Sequence, residues 1–270
     1  MLNLDIAIST YTPDGILRVE KMLPEAHPHV RYVVSWQQHG NAEIPERLKK
    51  RNDVEIHRLD KKGLSNNRNN ALDHCHGDII YIADDDLILK PDLPRIITEA
   101  FEQNPGVDLI TFQIEHLKKT YPEKSCWLSL PMPKNYYVSS VEIAIRRQRL
   151  GNLRFYPELG LGSSKMQCGE EEFFMISALK RGLKAKFISE VVASHPQATT
   201  GAGNSPGILR GQGFVMASMY PFSSLLRIPL KSLRNKKEGK SSFFTSLRYL
   251  FSGAFLRLKQ GKRIPASFRG

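Results

Sequence analysis

Short apolar runs alternate with amphipathic stretches along most of the chain. The runs predict strands, because they are rich in β-branched residues and are bounded by polar or turn-forming residues. These predicted strands cover residues 6–8, 30–34, 54–56, 79–83, 109–112 and 187–192. Between them, apolar residues recur at helical spacing, and one such helix is predicted to start at Ser65 as its N-cap. The alternation predicts an open, mostly parallel α/β sheet flanked by helices.

The C-terminal part of the chain has a different pattern. There, apolar side chains recur at helical spacing with Arg and Lys between them, which predicts an amphipathic basic helix. The apolar positions are Phe243, Leu247, Leu250, Phe251, Ala254, Phe255 and Leu258. We therefore expect two parts, a domain over residues 1–205 and a basic helical extension over residues 206–270.

The positive charge of the protein is concentrated in this extension. The formal net charge is +12, and residues 221–270 contain twelve Lys or Arg and one acidic residue, Glu238. The body is therefore close to neutral, which speaks against nucleic-acid binding as the main role. Two uses of the basic helix stay open: peripheral contact with an anionic membrane, or packing on the rest of the protein while its charges remain solvated.

The sequence also bears on the compartment. It contains no run of 18 uncharged apolar residues, so no membrane-spanning helix is expected. A strand-like segment begins within five residues of Met1 with no signal-like segment ahead of it, which indicates a cytoplasmic protein that can reach the inner face of the membrane through its basic helix. The three cysteines lie far apart and match no zinc spacing, so they are expected to be free thiols.

Three adjacent aspartates, Asp84, Asp85 and Asp86, follow the apolar run 79–83. In an open α/β sheet, ligands bind at the carboxyl ends of the strands, so polar site residues are expected at this point. Adjacent carboxylates repel one another, and a Mg²⁺ or Mn²⁺ ion would neutralise them. A solvated acidic loop or the start of a helix would account for the same residues.

Three further segments carry candidate chemistry. Residues 63–70 form a glycine turn that leads into a helix with several amides and Arg68, which suits a phosphate or the polar edge of a base. Gly169 precedes three glutamates; one of them is a candidate base for an acceptor hydroxyl, although a helix start alone also favours acidic residues. His195 follows the last predicted strand and is either a metal ligand or a structural histidine.

Taken in order, these segments resemble the family-2 glycosyltransferases of the GT-A fold, especially those of bacterial surface-polysaccharide assembly. The resemblance covers roughly residues 3–203. It implies that six residues bind the nucleotide: Thr10, Tyr11, Gln37, Ser65, Arg68 and Asp85. Of these, Gln37 at the end of the second strand stands at the position for the base. It implies that Asp84, Asp86 and His195 serve a Mn²⁺ or Mg²⁺ ion, and that Glu171, with Glu170 beside it, takes the acceptor proton.

The resemblance also implies the reaction. A sugar would pass from a nucleotide diphosphate sugar, with UDP favoured, to an acceptor hydroxyl in one displacement that inverts the anomeric centre. The acceptor would be a glycan, in particular a lipid-linked glycan of capsule, O-antigen or exopolysaccharide assembly. No nucleic-acid partner is expected.

Two departures from the family pattern matter. Ser35 and Trp36 stand where the family usually has an acidic pair after its second strand, so the base preference is open. Gln37 could hydrogen-bond to either a pyrimidine or a purine. Glu171 stands where the family usually has Asp, so the site must accommodate a longer side chain.

Other classes of function compete with this interpretation. A metal-dependent nucleotidyltransferase would also use an α/β sheet, but residues 9–15 lack the Gly-rich, basic loop that such an enzyme needs at its first strand. A non-catalytic protein that binds nucleotide sugars or nucleic acid would keep the carboxylates without the activity. The acidic clusters and the near-neutral body favour the glycosyltransferase.

Overall fold

The computed structural model describes residues 2–115, 119–134, 136–195, 204–261 and 264–268. Their contacts divide the chain into two compact units. The first unit comprises Met1–Lys62, Asn66–Gly151 and Gly182–Ala198, and the second comprises Gly63–Ser65, Asn152–Arg181 and Thr199–Gly270. The division of the sequence at residue 205 stays a prediction.

The first unit is built on a single sheet. Its strands are β1 (Leu4–Tyr11), β2 (Val30–Gln37), β3 (Val54–Leu59), β4 (Ile79–Asp84), β5 (Ile88–Leu89), β6 (Leu109–Glu115), β7 (Cys126–Leu128), β8 (Ile143–Arg146) and β9 (Ala185–Ser194). They lie in the order β3-β2-β1-β4-β8-β6-β9-β5, and β7 pairs with β9. Along the chain the first helices are α1 (Thr12–Met22), α2 (Glu46–Lys49), α3 (Leu64–Asp73), α4 (Leu93–Gln103) and α5 (Arg147–Leu150).

The parallel part of the sheet confirms the α/β prediction. Strands β3, β2, β1 and β4 run parallel; β1, β2 and β4 are buried along almost their whole length, as expected of strands covered on both faces, and β3 at the edge is only partly buried. The register aligns Ser9 of β1 with Asp84 of β4, and Tyr11 of β1 with Gln37 of β2. These candidate residues therefore lie at the carboxyl ends of adjacent strands, where the sequence predicts a site.

Two local predictions need correction. Strand β8 was missed, although it pairs antiparallel with both β4 and β6 in the middle of the sheet. Four residues are too short a run to show a strand period. Ser65 is not the N-cap of α3, because the helix starts at Leu64 and the Ser65 hydroxyl instead donates a hydrogen bond to Leu159 O at 2.7 Å.

The residue before β8 belongs to a buried ionic cluster. Glu142 is fully buried and pairs with Lys119, which is buried as well. Tyr121 and Tyr136 donate hydrogen bonds to the Glu142 carboxylate at 3.0 and 3.2 Å. A buried ion pair is tolerated when hydrogen bonds satisfy its remaining lone pairs, and the two tyrosines supply them.

The second unit is helical. Its helices are α6 (Glu170–Lys180), α7 (Pro206–Met219), α8 (Ser224–Lys237) and α9 (Phe243–Gln260). Helices α7 and α9 approach so closely that a Cβ on Gly213 would lie 2.0 Å from Leu250 O, and one on Gly253 would lie 1.9 Å from Arg210 O. Residues 206–260 contain three helices, α7, α8 and α9, where the sequence pattern predicts one. Among the described helices, none has the length and apolar character needed to cross a bilayer.

Candidate active site

The end of β1 and the aspartate run after β4 meet through Asp85. Asp85 is buried, and its carboxylate accepts a hydrogen bond from Thr10 Oγ1. Asn67 of α3 donates from its side-chain amide to Thr10 O at 2.8 Å, which fixes the backbone at the same point. The Tyr11 ring, one residue further on, is 55% exposed. Thr10, Tyr11 and Asp85 are thus brought together, as a shared nucleotide-binding role requires.

Arg18 completes this corner of the site and was not identified from the sequence. Its guanidinium donates to the two Asp85 oxygens, from Nη2 at 2.9 Å and from Nε at 3.3 Å. It also lies 6.0 Å from the centre of the Tyr11 ring. Burial raises the pKa of Asp85 even though Thr10 and Arg18 donate hydrogen bonds to its charged form. The sequence feature that could have indicated Arg18 is its position about one helical turn after Gly15 in α1.

Asp84 is held by Arg68. Arg68 Nη2 lies 3.2 Å from Asp84 Oδ1 and 3.1 Å from Asp84 Oδ2, and the Arg68 side chain is almost completely buried. The sequence assigns Arg68 to the nucleotide and Asp84 to the metal, whereas the structure joins the two residues in an ion pair. Such a pair compensates the charge of Asp84 and sets the position of the strand end.

Asp86 lies beside His195, although the two are far apart in sequence. Strand β5 pairs antiparallel with the end of β9, with Ile88 opposite Ser194, so the residue after β9 is brought back to the aspartate run. The distance from His195 Nε2 to Asp86 Oδ1 is 3.5 Å. The His195 backbone N–H donates to Glu115 O at 3.0 Å, which holds the loop in place.

The electrostatics of this pair favour a cation. Burial raises the pKa of Asp86, with the neighbouring charge of Asp84 acting in the same direction and that of His195 opposing it. Asp86 Oδ1 and His195 Nδ1 are buried and find no hydrogen-bond partner among the residues that the structure describes. Buried polar atoms normally have a hydrogen-bond partner, so two neighbouring atoms that find none among the described residues mark a place for a ligand or an ion.

The three predicted ligands do not form one set. Within the described ranges, no group of three or more His, Cys, Asp or Glu side chains is arranged to hold a metal ion. Asp84 is paired with Arg68. The carboxylate of Asp86 and the imidazole of His195 remain as two candidate metal ligands, one through oxygen and one through nitrogen. Mn²⁺ and Mg²⁺ accept such partial sites, because they take further ligands from water and substrate phosphates. The residues therefore fit a cation whose coordination is completed by substrate.

The end of β2 presents Trp36 and Gln37, and both are buried. Trp36 Nε1 donates to Thr12 O at 2.8 Å, and Thr12 adopts a φ of 66°, which is rare for a β-branched residue. Trp36 thus holds the turn that follows Tyr11. The Gln37 amide nitrogen donates to Lys61 O, so recognition of a base by Gln37 stays a prediction.

The second unit contains the remaining predicted residues. Gly169 precedes α6 with a φ of 90°, and Glu170, Glu171 and Glu172 form the first turn of the helix. Glu170 is buried beside Gly160, where a Cβ would lie 3.0 Å from the Glu170 carboxyl carbon. Glu171 is only half-buried. The catalytic roles of Glu170 and Glu171, and the nucleotide role of Ser65 in the same unit, stay predictions from the resemblance.

Part of the chain matches a known protein family. Residues 38–166, which include the three aspartates, match the model of Glycosyl transferase family 2. Over these residues the chain resembles the family-2 glycosyltransferases, and its α/β fold matches that of GT-A glycosyltransferase structures. No curated protein matches the chain.

The solved structures similar to this glycosyltransferase support the fold. A crystal structure of S. aureus TarS 1–349 has a TM-score of 0.60 at 12% identity and covers 96% of this chain and 92% of that chain. The same TarS fragment in complex with UDP-GlcNAc has a TM-score of 0.58 at 15% identity, covering 80% and 66%. The mannosyltransferase PcManGT from Pyrobaculum calidifontis, in complex with GDP-Man and Mn²⁺, has a TM-score of 0.53 at 14% identity, covering 98% and 73%.

Gly15 gives a test of the first corner of the site in this glycosyltransferase. A Cβ at Gly15 would lie 2.2 Å from Thr10 Oγ1 and 2.9 Å from Asp85 Oδ2. We expect Gly15→Ala to displace these two side chains and to raise the KM for the donor by about tenfold or more, since a shift of this kind costs 1–3 kcal/mol as a rough guide. Steady-state kinetics with varied donor would measure it.

Gly106→Ala is the matched control for this substitution. A Cβ there meets nothing within 4 Å among the described residues, and the residue does not require a positive φ. The control should keep the wild-type KM. An unchanged KM in Gly15→Ala would show that the contact between Thr10 and Asp85 has no part in donor binding.

Proposed function

We propose that the chain is an inverting hexosyltransferase that uses a nucleotide diphosphate sugar and a divalent cation. The observation that carries the proposal is the pair formed by Asp86 and His195, whose buried polar atoms Oδ1 and Nδ1 find no hydrogen-bond partner among the described residues. Asp86 and His195 would hold a divalent cation, which would supply positive charge to the diphosphate of the donor. The family-model match supports the reaction class, and the pair supports this position for the site.

The nucleotide is assigned to the neighbouring corner. The exposed Tyr11 ring offers a face on which a base can stack, and the Asp85 carboxylate offers acceptors for ribose hydroxyls. Arg18 holds Asp85 in position through its two hydrogen bonds. The similar structures contain UDP-GlcNAc in one case and GDP-Man with Mn²⁺ in another, which supports a nucleotide sugar as the donor. We favour UDP, and Mn²⁺ or Mg²⁺ as the ion.

The proposed chemistry is a single displacement. The acceptor oxygen forms a bond to the anomeric carbon from the face opposite the diphosphate, and the bond from that carbon to the phosphate oxygen breaks. Glu171 takes the proton of the acceptor hydroxyl, and the nucleoside diphosphate leaves with the bonding electrons. The ion, when bound, neutralises the charge that develops on the leaving diphosphate. Inversion at the anomeric carbon is the stereochemical consequence.

The acceptor is proposed to be a glycan hydroxyl, in particular that of a lipid-linked glycan in surface-polysaccharide assembly. Several of the similar structures are of TarS from S. aureus, a bacterium, which agrees with this setting. The cytoplasmic location read from the sequence is part of the same proposal.

A thermal-shift screen tests the donor and the ion together. Purified protein would be melted with UDP-, GDP-, dTDP- and CDP-sugars, each with Mn²⁺ and with chelator. We expect one donor to raise the Tm in the presence of Mn²⁺ only, because a ligand that binds the folded state stabilises it by mass action. Release of the nucleoside diphosphate on addition of glycan acceptors then tests transfer. If none of the donors raises the Tm in the presence of Mn²⁺, the proposal is wrong.

A further inference from the structure

Helix α8 of the second unit has its polar residues inside and its leucines outside. Its buried residues are Ser224, Ile228, Ser232 and Asn235. Asn235 donates from its side-chain amide to Ser246 Oγ of α9 at 3.0 Å, and Ser232 Oγ donates to Ile228 O at 2.9 Å. A helix that packs on a protein core normally presents its apolar stripe inwards, so this arrangement needs an explanation.

The outer face of α8 carries an apolar stripe. Leu226, Leu230 and Leu233 are 74%, 67% and 53% exposed, and their spacing of four and three residues places them on one side of the helix. Leu225 is also exposed, and Phe222, just before the helix, is 96% exposed. We call the three residues Leu226, Leu230 and Leu233 the leucine stripe. Single exposed leucines are common, but a continuous stripe marks an interaction surface.

Basic residues border the leucine stripe. Arg227 and Arg234 are exposed and follow Leu226 and Leu233 directly on the helix. Burial, followed by the charges of Lys240 and Arg234, lowers the pKa of Lys231. Glu238, the one acidic residue between 221 and 270, pairs with Lys240 at 2.7 Å. The surface around the stripe is therefore strongly positive.

This combination identifies the partner by its chemistry. A second copy of the chain would bring an equally positive face against this one, and the two would repel each other. A soluble polyanion would neutralise the arginines but would leave the leucines in water. A bilayer with anionic headgroups satisfies both, because the acyl boundary takes the leucines and the phosphates take the arginines.

We propose that α8 lies in the headgroup region of an anionic membrane, with the leucine stripe inserted and Arg227 and Arg234 on lipid phosphates. Membrane contact was one of the two uses that the sequence left open for its predicted basic helix, and the proposal places it on a different helix. The sequence pattern points to the segment that forms α9, but the centre of α9 is used inside the protein, since Leu250 and Ala254 are buried with Leu209 and Ala217 of α7.

Vesicle sedimentation with the full chain tests the proposal without donor or acceptor, so its outcome is independent of the proposed reaction. Vesicles of phosphatidylcholine with phosphatidylglycerol would be compared with vesicles of phosphatidylcholine alone. We expect binding only to the first kind. Leu226→Ser with Leu230→Ser should weaken the partition by at least about tenfold, from the loss of buried apolar area. Arg227→Gln with Arg234→Gln should weaken it by roughly 30-fold, at about tenfold per 1.4 kcal/mol.

A matched control removes two exposed apolar side chains from the first unit. Leu17 and Trp127 are 45% and 60% exposed, and Leu17→Ser with Trp127→Ser should bind vesicles as the wild type does. Circular dichroism melts of each variant establish that it is folded. The proposal is overturned by equal binding to neutral vesicles, by wild-type partition of the folded leucine variant, or by an equal loss in the control. Binding to a soluble polyanion without binding to vesicles would also overturn it.

Discussion

Asp86→Asn is expected to lower the rate of sugar transfer by about 10³-fold or more while leaving the protein as stable as the wild type. In the proposed function the charge of Asp86 would hold the cation near the donor diphosphate, and a metal supplies several kcal/mol of charge stabilisation in such a reaction, so its removal should cost activity. Transfer would be measured by release of the nucleoside diphosphate. The Mn²⁺-dependent Tm increase with donor should disappear in the same variant.

The stability of this variant separates a functional role from a structural one. Burial raises the pKa of Asp86, which means that the folded protein carries its charge at a cost when no cation is bound. Asparagine has the same shape without the charge. In the presence of chelator, the Tm of Asp86→Asn should therefore equal or exceed that of the wild type. A purely structural carboxylate would instead lower the Tm when replaced.

Asp92→Asn is the control for this experiment. Asp92 is an exposed carboxylate at the start of α4, where it pairs with Arg95 on the surface. Its replacement should change neither the transfer rate nor the response to Mn²⁺. Wild-type turnover in Asp86→Asn, or donor binding that chelator does not affect in the wild type, would remove Asp86 from the role that we assign to it.

Glu171→Gln is expected to keep donor binding and to lower turnover by about 10²–10⁴-fold, which is the usual contribution of a general base. The amide has nearly the same size as the carboxylate but cannot take the acceptor proton. The decisive measurement is the combination of an unchanged donor-induced Tm increase with a reduced kcat. A defect in binding alone would raise the KM and leave kcat unchanged.

Glu172→Gln makes the same chemical change one residue further along α6. The two glutamates are both half-buried in the first turn of the helix, where their interaction with the helix dipole is similar. A general effect on the start of α6 would therefore appear in both variants. A loss confined to Glu171→Gln supports the base, and an equal loss in both variants or in neither contradicts it.

The local patterns of the sequence were sufficient to predict the strands of the parallel half of the sheet. The apolar run 79–83 forms the buried strand β4, and the aspartates lie at its end as predicted, because the position where a strand ends depends on local sequence. The antiparallel strand β8 was missed, since a short buried strand has no distinct period. The helices α7 and α8 were missed as separate elements because the predicted pattern covered only α9.

The partners of the site residues could not be read in the same way. From the sequence, Asp84, Asp86 and His195 were predicted to serve one metal ion. The sequence did not reveal that Arg68 pairs with Asp84, or that the pairing of β5 with β9 brings His195 to Asp86. Arg18 had no motif to mark it, although it holds both oxygens of Asp85. Side-chain pairing depends on which strands and helices meet in the folded protein. Composition and spacing along the chain do not contain that information.

By itself, the sequence determined the α/β class, the acidic strand end and the separation of charge between a near-neutral body and a basic tail. These features depend on residue type and on spacing along the chain, which the hydrophobic effect and strand or helix periodicity translate directly into structure. Only the tertiary structure decided which carboxylates of the aspartate run pair with an arginine and which lies beside His195, and which helix of the tail carries the exposed leucine stripe. Both depend on the free energy of packing between distant segments, where burial sets the cost of each charge and contact decides which face of a helix is covered.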